Sequence, residues 1–596
     1  TLTMSMAGTS ATKPARKTEA RTITSLYKSY VQASTKKLAE KRTDLLSVFV
    51  DNAGVVKWND DWGICFKVET HNSPSALEPY GGALTGILGV NRDILGTGLG
   101  AKPICNTDVF CFAYPSEDLV NRPTMLPAQS IIQGVRKGVQ DGGNKSGIPT
   151  VNGAVYFHPG YRAKPLVFCG TGGLLPLTVD GKCGYEKHTQ NGDAIIMVGG
   201  RVGKDGIHGA TFSSEALNVD SPVSAVQIGD PFTQKRVTDF ILEARDLGLI
   251  SGITDNGAGG LSSSVGEMAQ ITGGATLEVD HIPLKYPGLA DYEIVISESQ
   301  ERMTLSSTKI EELKELAEKH SVELTVVGKF DDKGFFRITR ADKTIALLDL
   351  KFLHEGAPRL ELEAHWQAPV TIDEVEQPPK SLGEALLALL AHANICSREP
   401  VIRQYDHEVQ GGSVVKPLMG AEQTAPCDAA VIQPLLSEQA GLAVSNGMCP
   451  QLSDFDSHLM AICAVDEAVR NAVCVGADPN SLALLDNFCW PDPVQSPKTP
   501  DGEHKLAQLV RCCEGLRAAC EAFGVPLISG KDSMKNDAHL GGVKISIPPT
   551  LLVSAIGQID DVRRALDLTP VAAGAKANCP ISKLLKAEIS LEATLI

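Results

Sequence analysis

Two copies of one α/β domain, separated by a different α+β unit, are what this sequence predicts. Three observations lead there. The first is an internal repeat at a large offset. Gly100-Ala101-Lys102-Pro103 matches Gly476-Ala477-Asp478-Pro479, 376 positions on, and the stretch from Gly147 to Gly153 matches that from Gly524 to Gly530, 377 positions on. LVFCGTGG, starting at Leu166, resembles LLVSAIGQ, starting at Leu551, at an offset of 385, which calls for a short insertion in the second copy. The second observation is size: 596 residues with 43% hydrophobic content give several domains with ordinary cores. The third is glycine. The chain has 56, many of them in GGALTGILGVNRDILGTGLG between Gly81 and Gly100. Such density permits close backbone approach and suggests loops wrapped around a ligand.

The elements follow in order. Residues 1–21 are rich in Ser, Thr, Lys and Arg and read as a disordered or truncated tail. The first copy spans 22–176 and the α+β unit 177–355. Within that unit, Thr308-Lys309-Ile310-Glu311 resembles a capping box, and Ile310, Leu313, Leu316 and Ala317 form one apolar helix face. Val322 to Val327 reads as a strand, and Asp331-Asp332-Lys333-Gly334 as a hairpin turn into Phe335-Phe336-Arg337-Ile338. A linker (356–398) carries the Pro- and acid-rich Val375-Glu376-Gln377-Pro378-Pro379. The second copy is expected at 399–560, and 561–596 reads as a truncated tail, without the α+β partner that follows the first copy. The apolar run from Ala385 to Ala391 reads as a buried helix and falls short of the ~18 residues of a membrane span.

A net charge of −16 argues against nucleic acid as the main partner, because phosphate backbones demand a basic face. Fifteen cysteines without a C-x-x-C spacing read as reduced thiols of a cytoplasmic protein. The common nucleotide loops, G-x-x-x-x-G-K-[ST] and G-x-G-x-x-G, are absent. The strongest cluster is Lys67-Val68-Glu69-Thr70-His71-Asn72-Ser73. On a strand, Lys67, Glu69 and His71 share one face. A cation, a carboxylate and an imidazole together suit a phosphate, a magnesium ion and a proton acceptor. Their bland alternative is a polar strand face in water. Arg92 and Asp93 lie in the glycine-rich run, where burial of charge is costly unless used or mutually paired. Asp255 precedes Asn256-Gly257-Ala258-Gly259-Gly260, which suggests a helix N-terminus. Ser297-Glu298-Ser299-Gln300 turns polar after Ile294-Val295-Ile296, as at the end of a strand.

Taken together, KVETHNSPSALEPYGGALTGILGVNRD, RVGKDGIHGATFSSEAL, QIGDPFTQK, TDNGAGGLSS, ESQERM, RQYDHEVQGGSVVKPL, DNFCWPDP and SGKDSMKND resemble phosphoribosylformylglycinamidine synthase. The resemblance covers about Thr22 to Asp560. It implies tandem aminoimidazole-ribonucleotide-synthetase-like N- and C-domains arranged as a pseudo-dimer, here without the second C-domain. It implies an ATP-dependent ligase of purine biosynthesis that turns formylglycinamide ribonucleotide and ammonia into an amidine. On that resemblance His71 would be the proton acceptor. Lys67, Asp486 and Gly530 would meet ATP, and Glu69, Asp93 and Asp255 would bind Mg²⁺. Thr70, Asn72, Ser73, Arg92, Gln227, Glu298, Ser299, Gln300 and Ser533 would line the substrate. Lys531 stands where the shorter family form has a metal-ligating Asn, and is not counted as a ligand.

The sequence also departs from the family. Ala11-Thr12-Lys13-Pro14 replaces a Ser-Glu-His-Cys motif, and Ser453-Asp454-Phe455-Asp456 occupies the region of E-T-H-N in the second copy. The family's large form ends in a glutaminase domain with no counterpart read in these residues, so ammonia is expected from solution or from a separate glutaminase domain or subunit. A competing reading keeps the family but not the turnover: a non-catalytic, truncated nucleotide-binding fragment.

Overall fold

The computed structural model describes residues 2–6, 21–116, 125–207, 209, 215–218, 226–227, 229–369, 381–540 and 542–565. The first copy is a sheet of β1 (Leu45–Ser47), β2 (Gly54–Lys57), β3 (Trp62–Thr70), β4 (Lys102–Phe112), β5 (Thr150–Phe157) and β6 (Leu166–Pro176). Its spatial order is β1-β2-β3-β6-β4-β5. Only the β4–β5 pair is parallel. Helices α1 (Asn72–Leu77), α2 (Pro79–Leu95) and α3 (Ala128–Ser146) complete the domain. Leu84, Ile87 and Leu88 of α2 join Val135 and Val139 of α3 against Phe110 and Val167 of the sheet.

The run from Gly81 to Gly100, expected as ligand-wrapping loops, is the buried helix α2 as far as Leu95. Gly82 serves helix packing, while Gly86 lies against His71. A methyl group at Gly82 would strike the Pro74 backbone, and one at Gly138 of α3 would strike Tyr80. Only Gly98 and Gly100, past the helix end, take the left-handed φ that glycine tolerates.

The middle unit is a seven-stranded sheet of β7 (Ala194–Gly199), β8 (Gly252–Asp255), β9 (Ala275–Glu278), β10 (Arg302–Ser307), β11 (Leu324–Phe330), β12 (Phe335–Arg340) and β13 (Lys343–Asp349). The order is β8-β10-β7-β11-β9-β12-β13. Helices α4 (Pro231–Asp246), α5 (Gly260–Thr272), α6 (Asp291–Ile296) and α7 (Ile310–His320) pack on it. Two local expectations change here. The Asp331–Gly334 turn does not close a hairpin, because β9 inserts between β11 and β12. Helix α7 is entered from Lys309 without a side-chain cap; instead the Ser307 hydroxyl accepts the Lys309 N–H at 2.9 Å.

Strand Leu362–Trp366, within the expected linker, pairs with Leu2–Met6 in a small sheet that also holds Arg21–Ile23. Helix α8 (Leu382–Ala391) forms as its apolar composition requires, yet it has no buried residue; Leu387 is 69% exposed. The expectation of a buried helix fails because hydrophobicity alone does not say what covers it. The motifs at 11–14 and 375–379, and the tail beyond 565, lie outside the described residues.

The second copy repeats the first strand for strand. Strands β14 (Ser413–Val415), β15 (Ala429–Ile432), β16 (Gly441–Met448), β17 (Ala483–Cys489), β18 (Leu527–Ser533) and β19 (Thr550–Ile559) run in the order β14-β15-β16-β19-β17-β18. Helices α9 (Ser457–Cys474) and α10 (Gly502–Phe523) pack on this sheet. Even the irregularities coincide: a register shift lies between Asn106 and Thr107 on β4 and between Leu484 and Leu485 on β17. The predicted insertion is the hairpin of strands Asp537–Leu540 and Val543–Ser546 between β18 and β19. Ile64, Phe66 and Val68 of β3 share one core with Val444 of β16 and Ile528 of β18, so the two sheets pack face to face.

That interface leaves no room at Gly54, where an added methyl would collide with the Ile528 carbonyl. Gly54→Ala is therefore expected to destabilise the folded chain by roughly 1–3 kcal/mol, the usual cost of overpacking. Urea denaturation of the two proteins checks this; an unchanged midpoint would contradict the face-to-face packing.

Candidate active site

Strand β3 ends at Thr70 and α1 starts at Asn72, so His71 stands at the turn between them. Lys67, Glu69 and His71 project into one cavity of about 1290 Å³, as strand alternation predicts. The first copy adds Thr70, Asn72, Arg92 and Asp93. The middle unit adds Gln227, Asp255, Glu298 and Gln300, and the second copy adds Lys531, Asp532 and Ser533. All three parts of the chain therefore build one site. Strand β3 is not a polar face in water, since Lys67 and Glu69 keep only 16% and 21% of their side-chain surface.

The groups are ordered by charge. Lys67 Nζ lies 3.4 Å from Glu69 Oε1 and 3.8 Å from Asp93 Oδ2. Lys531 Nζ lies 2.7 Å from Glu69 Oε2. Burial opposes ionisation of Glu69, but Lys531 and Lys67 outweigh it and hold the carboxyl below its usual range. Asp93 behaves oppositely. Burial pushes it up to about 7 against the pull of Lys67, with Asp255 and Glu69 adding repulsion. Asn52 Nδ2 bridges Asp93 Oδ1 at 3.2 Å and Asp255 Oδ1 at 3.0 Å. Two half-buried carboxylates converging on a neutral amide offer hard oxygen donors, which fits Mg²⁺. Glu69 differs, because each of its oxygens already faces an ammonium group.

Arg92 donates from Nη2 to Gln300 Oε1 at 2.6 Å, while its Nε and Nη1 have no hydrogen-bond partner in the protein. A buried guanidinium with spare donors is suited to an anionic ligand. His71 Nδ1 is bonded to the Gly82 carbonyl. A carbonyl only accepts, so Nδ1 carries the proton and Nε2 keeps its lone pair. Burial pushes His71 down to about 4, which leaves the ring neutral near pH 7.

Four expected site residues do not line the cavity. Ser73 is buried in α1. The Ser299 hydroxyl donates to Asp205 and accepts the Gly203 N–H at 2.9 Å, so it braces a loop. Asp486 and Gly530 are neighbours on β17 and β18, where a Cβ on Gly530 would come within 2.7 Å of Asp486 Oδ1. Burial pushes Asp486 up to about 7. Residues 294–296 belong to helix α6, not to a strand, and the polar run after it is buried. Sequence reasoning missed Asn52 and Lys187, whose ammonium lies 3.1 Å from Asn52 Oδ1. Both sit in irregular segments that carry no motif.

Comparison with known proteins gives the architecture a family. The N-terminal domain model of AIR synthase related proteins matches residues 50–175 and again 426–559, and the C-terminal domain model matches 190–340. A Picrophilus torridus protein named phosphoribosylformylglycinamidine synthase subunit PurL is 36% identical over 560 residues, 91% of this chain and 71% of that protein. This chain belongs to the PurL family. The Methanothermobacter marburgensis PurL is 37% identical, covering 86% of this chain and 68% of its own length. Among solved structures, T. maritima PurL complexed with FGAR superposes with a TM-score of 0.69 at 30% identity, covering 90% of this chain and 79% of that one.

The PurL-family duplication has left one site charged and the other stripped. By strand register, Lys67, Glu69 and His71 correspond to Ser445, Gly447 and Cys449. The counterpart of E-T-H-N is thus Gly447-Met448-Cys449-Pro450. Ser453–Asp456, expected there, falls in and just after the next short helix, Pro450–Asp454. Asn446 fills the second position with side-chain bonds to Thr107 (2.9 Å) and Ser554 (2.8 Å).

Gly86 of α2 backs His71: a Cβ there would lie 2.9 Å from His71 Cβ. Gly86→Ala is expected to lower turnover roughly 10-fold or more by displacing the imidazole, since misplacement of about 1 Å can cost 100-fold. Steady-state assay of a variant that keeps the native circular dichroism spectrum checks this.

Proposed function

We propose that this chain converts formylglycinamide ribonucleotide, ammonia and ATP into formylglycinamidine ribonucleotide, ADP and phosphate. The observation that supports it best is the convergence of Lys67, His71, Arg92, Asp93 and Asp255 in one cavity of a PurL-family chain. In this reading Lys67 contacts the ATP phosphates. Asp93 and Asp255 hold Mg²⁺, which, when bound, neutralises phosphate charge. Glu69 holds Lys67 in place. Arg92 directs its free donors at the anionic substrate. Thr70, Asn72, Gln227, Glu298, Gln300 and Ser533 shape the substrate pocket. Ser73 and Ser299 support it from behind, and Asp486 with Gly530 shapes the nucleotide end.

The chemistry runs in two steps. The amide oxygen of the substrate attacks the γ-phosphorus; an O–P bond forms and ADP leaves. Ammonia then adds to the activated carbon, His71 Nε2 accepts a proton from the incoming nitrogen, and the C–O bond breaks to release phosphate. Fixed side chains supply position and charge, which is most of what phosphoryl transfer needs.

Ammonia reaches the site from a separate glutaminase subunit. Relatives are named as subunits, and one similar solved structure is titled PurLQS from Thermotoga maritima. The chain works in the cytoplasm. No helix among the described residues is long and apolar enough to cross a membrane.

The test is ADP release with formylglycinamide ribonucleotide, ATP, MgCl₂ and ammonium chloride. Release that depends on both substrate and ammonium is expected. Nucleotide binding without release would instead support the non-catalytic fragment. Release with formylglycinamidine ribonucleotide as the starting substrate would point to the cyclising ligase of the same superfamily.

A further inference from the structure

We infer that Lys531 is a built-in cation for Glu69, taking from the second copy the place a divalent ion would hold on that carboxylate. The inference rests on the proposed metal site at Asp93 and Asp255, and it assigns Lys531 as a positioning residue. Three observations support it. Lys531 Nζ lies 2.7 Å from Glu69 Oε2 and Lys67 Nζ lies 3.4 Å from Oε1, so both oxygens face ammonium groups. Asp93 and Asp255 contrast with this. Their nearest cationic nitrogens among the described residues are 3.8 Å and 4.0 Å away, and their closest shared neighbour is the neutral Asn52 amide. Glu69 thus already has a cation on each oxygen, whereas the aspartates leave carboxylate oxygens without a cation that close.

The third observation comes from the duplication. In strand register, Lys531 on β18 corresponds to Ala154 on β5, because Asn487 pairs with Lys531 as Val109 pairs with Ala154. Glu69 corresponds to Gly447. The mirrored position therefore lacks both partners of the ion pair. That is the pattern of two side chains that serve each other.

The geometry has a consequence for assembly. An ammonium ion is fixed to its chain, whereas a bound metal exchanges. Glu69, and through it Lys67, is therefore held before any ligand arrives, and only when the two copies are docked. A residue of the second copy thus prepares the first copy's site.

The experiment is a titration of Mn²⁺ into the full chain, without nucleotide or substrate, with free ion read by electron paramagnetic resonance. The Lys531→Asn variant is expected to bind one more ion per chain than the unmodified protein. Lys531→Arg, which keeps the charge, is expected to bind the unmodified number. Lys531→Asn combined with Glu69→Gln is expected to return to that number, which locates the extra ion. Equal stoichiometry for the unmodified chain and Lys531→Asn would overturn the inference. So would an extra ion that survives Glu69→Gln. Failure of the underlying metal site is read separately: Asp93→Asn with Asp255→Asn would then leave Mn²⁺ binding by the otherwise unmodified chain unchanged. A merely structural lysine would alter stability in these variants but not the ion count.

Discussion

Asp93→Asn is expected to abolish amidine formation, lowering kcat by about 10³-fold or more, while leaving the fold intact. The size follows from the work assigned to this carboxylate: removing even one preorganised neutral hydrogen-bond donor from a water-poor site costs about 10²–10³-fold. Asp93 is also one of two metal donors, so the loss compounds. The stability side has the opposite sign. Burial, helped by Asp255 and Glu69, raises the Asp93 pKa from 3.8 to about 7. A carboxyl with a raised folded-state pKa favours folding when protonated. That contribution is fully present below its unfolded-state pKa and is lost as pH rises through about 7. The neutral amide removes this penalty. Metal-free Asp93→Asn should therefore melt no lower than the unmodified chain at pH 8. Added Mg²⁺ should raise the Tm of the unmodified chain more at pH 8 than at pH 6, and that of the variant little. Turnover near the unmodified rate would exclude Asp93 from the machinery.

His71→Ala is expected to lower kcat by about 10²–10⁴-fold, the usual contribution of a positioned base. The step affected is ammonia addition. A rapid-quench experiment should still show a burst of ADP at the first turnover, followed by slow amidine release. Equal loss of the burst and of steady turnover would place His71 in phosphoryl transfer instead. The pH profile gives a second check. Burial lowers the His71 pKa to about 4, offset in part by its bond to Gly82. The ring can accept a proton only above that value, so activity limited by His71 should fall as pH drops through about 4, not near 6.5.

Much of this architecture was legible before any coordinates. The repeat from Gly100 and Gly476 onward specified two similar sheets, because each match fell on a turn or strand that both copies need. Lys67, Glu69 and His71 were readable as one face because strand period is a local rule. What the sequence hid was long-range. Asn52 bridges Asp93 and Asp255 from a turn that is 41 residues from one and 203 from the other. Lys531 reaches Glu69 from the second copy. Neither contact leaves a local signature. The glycine-rich run misled in a different way. Glycine signals close approach without saying whether a loop or another helix does the approaching, and here Pro74 of α1 and His71 do. Helix α8 shows the same limit for apolar runs, since Leu387 and Leu390 reveal hydrophobicity but not a partner.

The proposed reaction needs a magnesium-nucleotide cleft where β3 of the first copy faces the second. A crystal structure of the chain grown with a non-hydrolysable ATP analogue and MnCl₂ tests it most directly, through the anomalous signal of manganese. A manganese peak is expected within bonding distance of the Asp93 and Asp255 carboxylates, with the terminal phosphate beside Lys67. Manganese and nucleotide bound instead at the mirrored position near Ser445 and Cys449, with the first cavity empty, would contradict it.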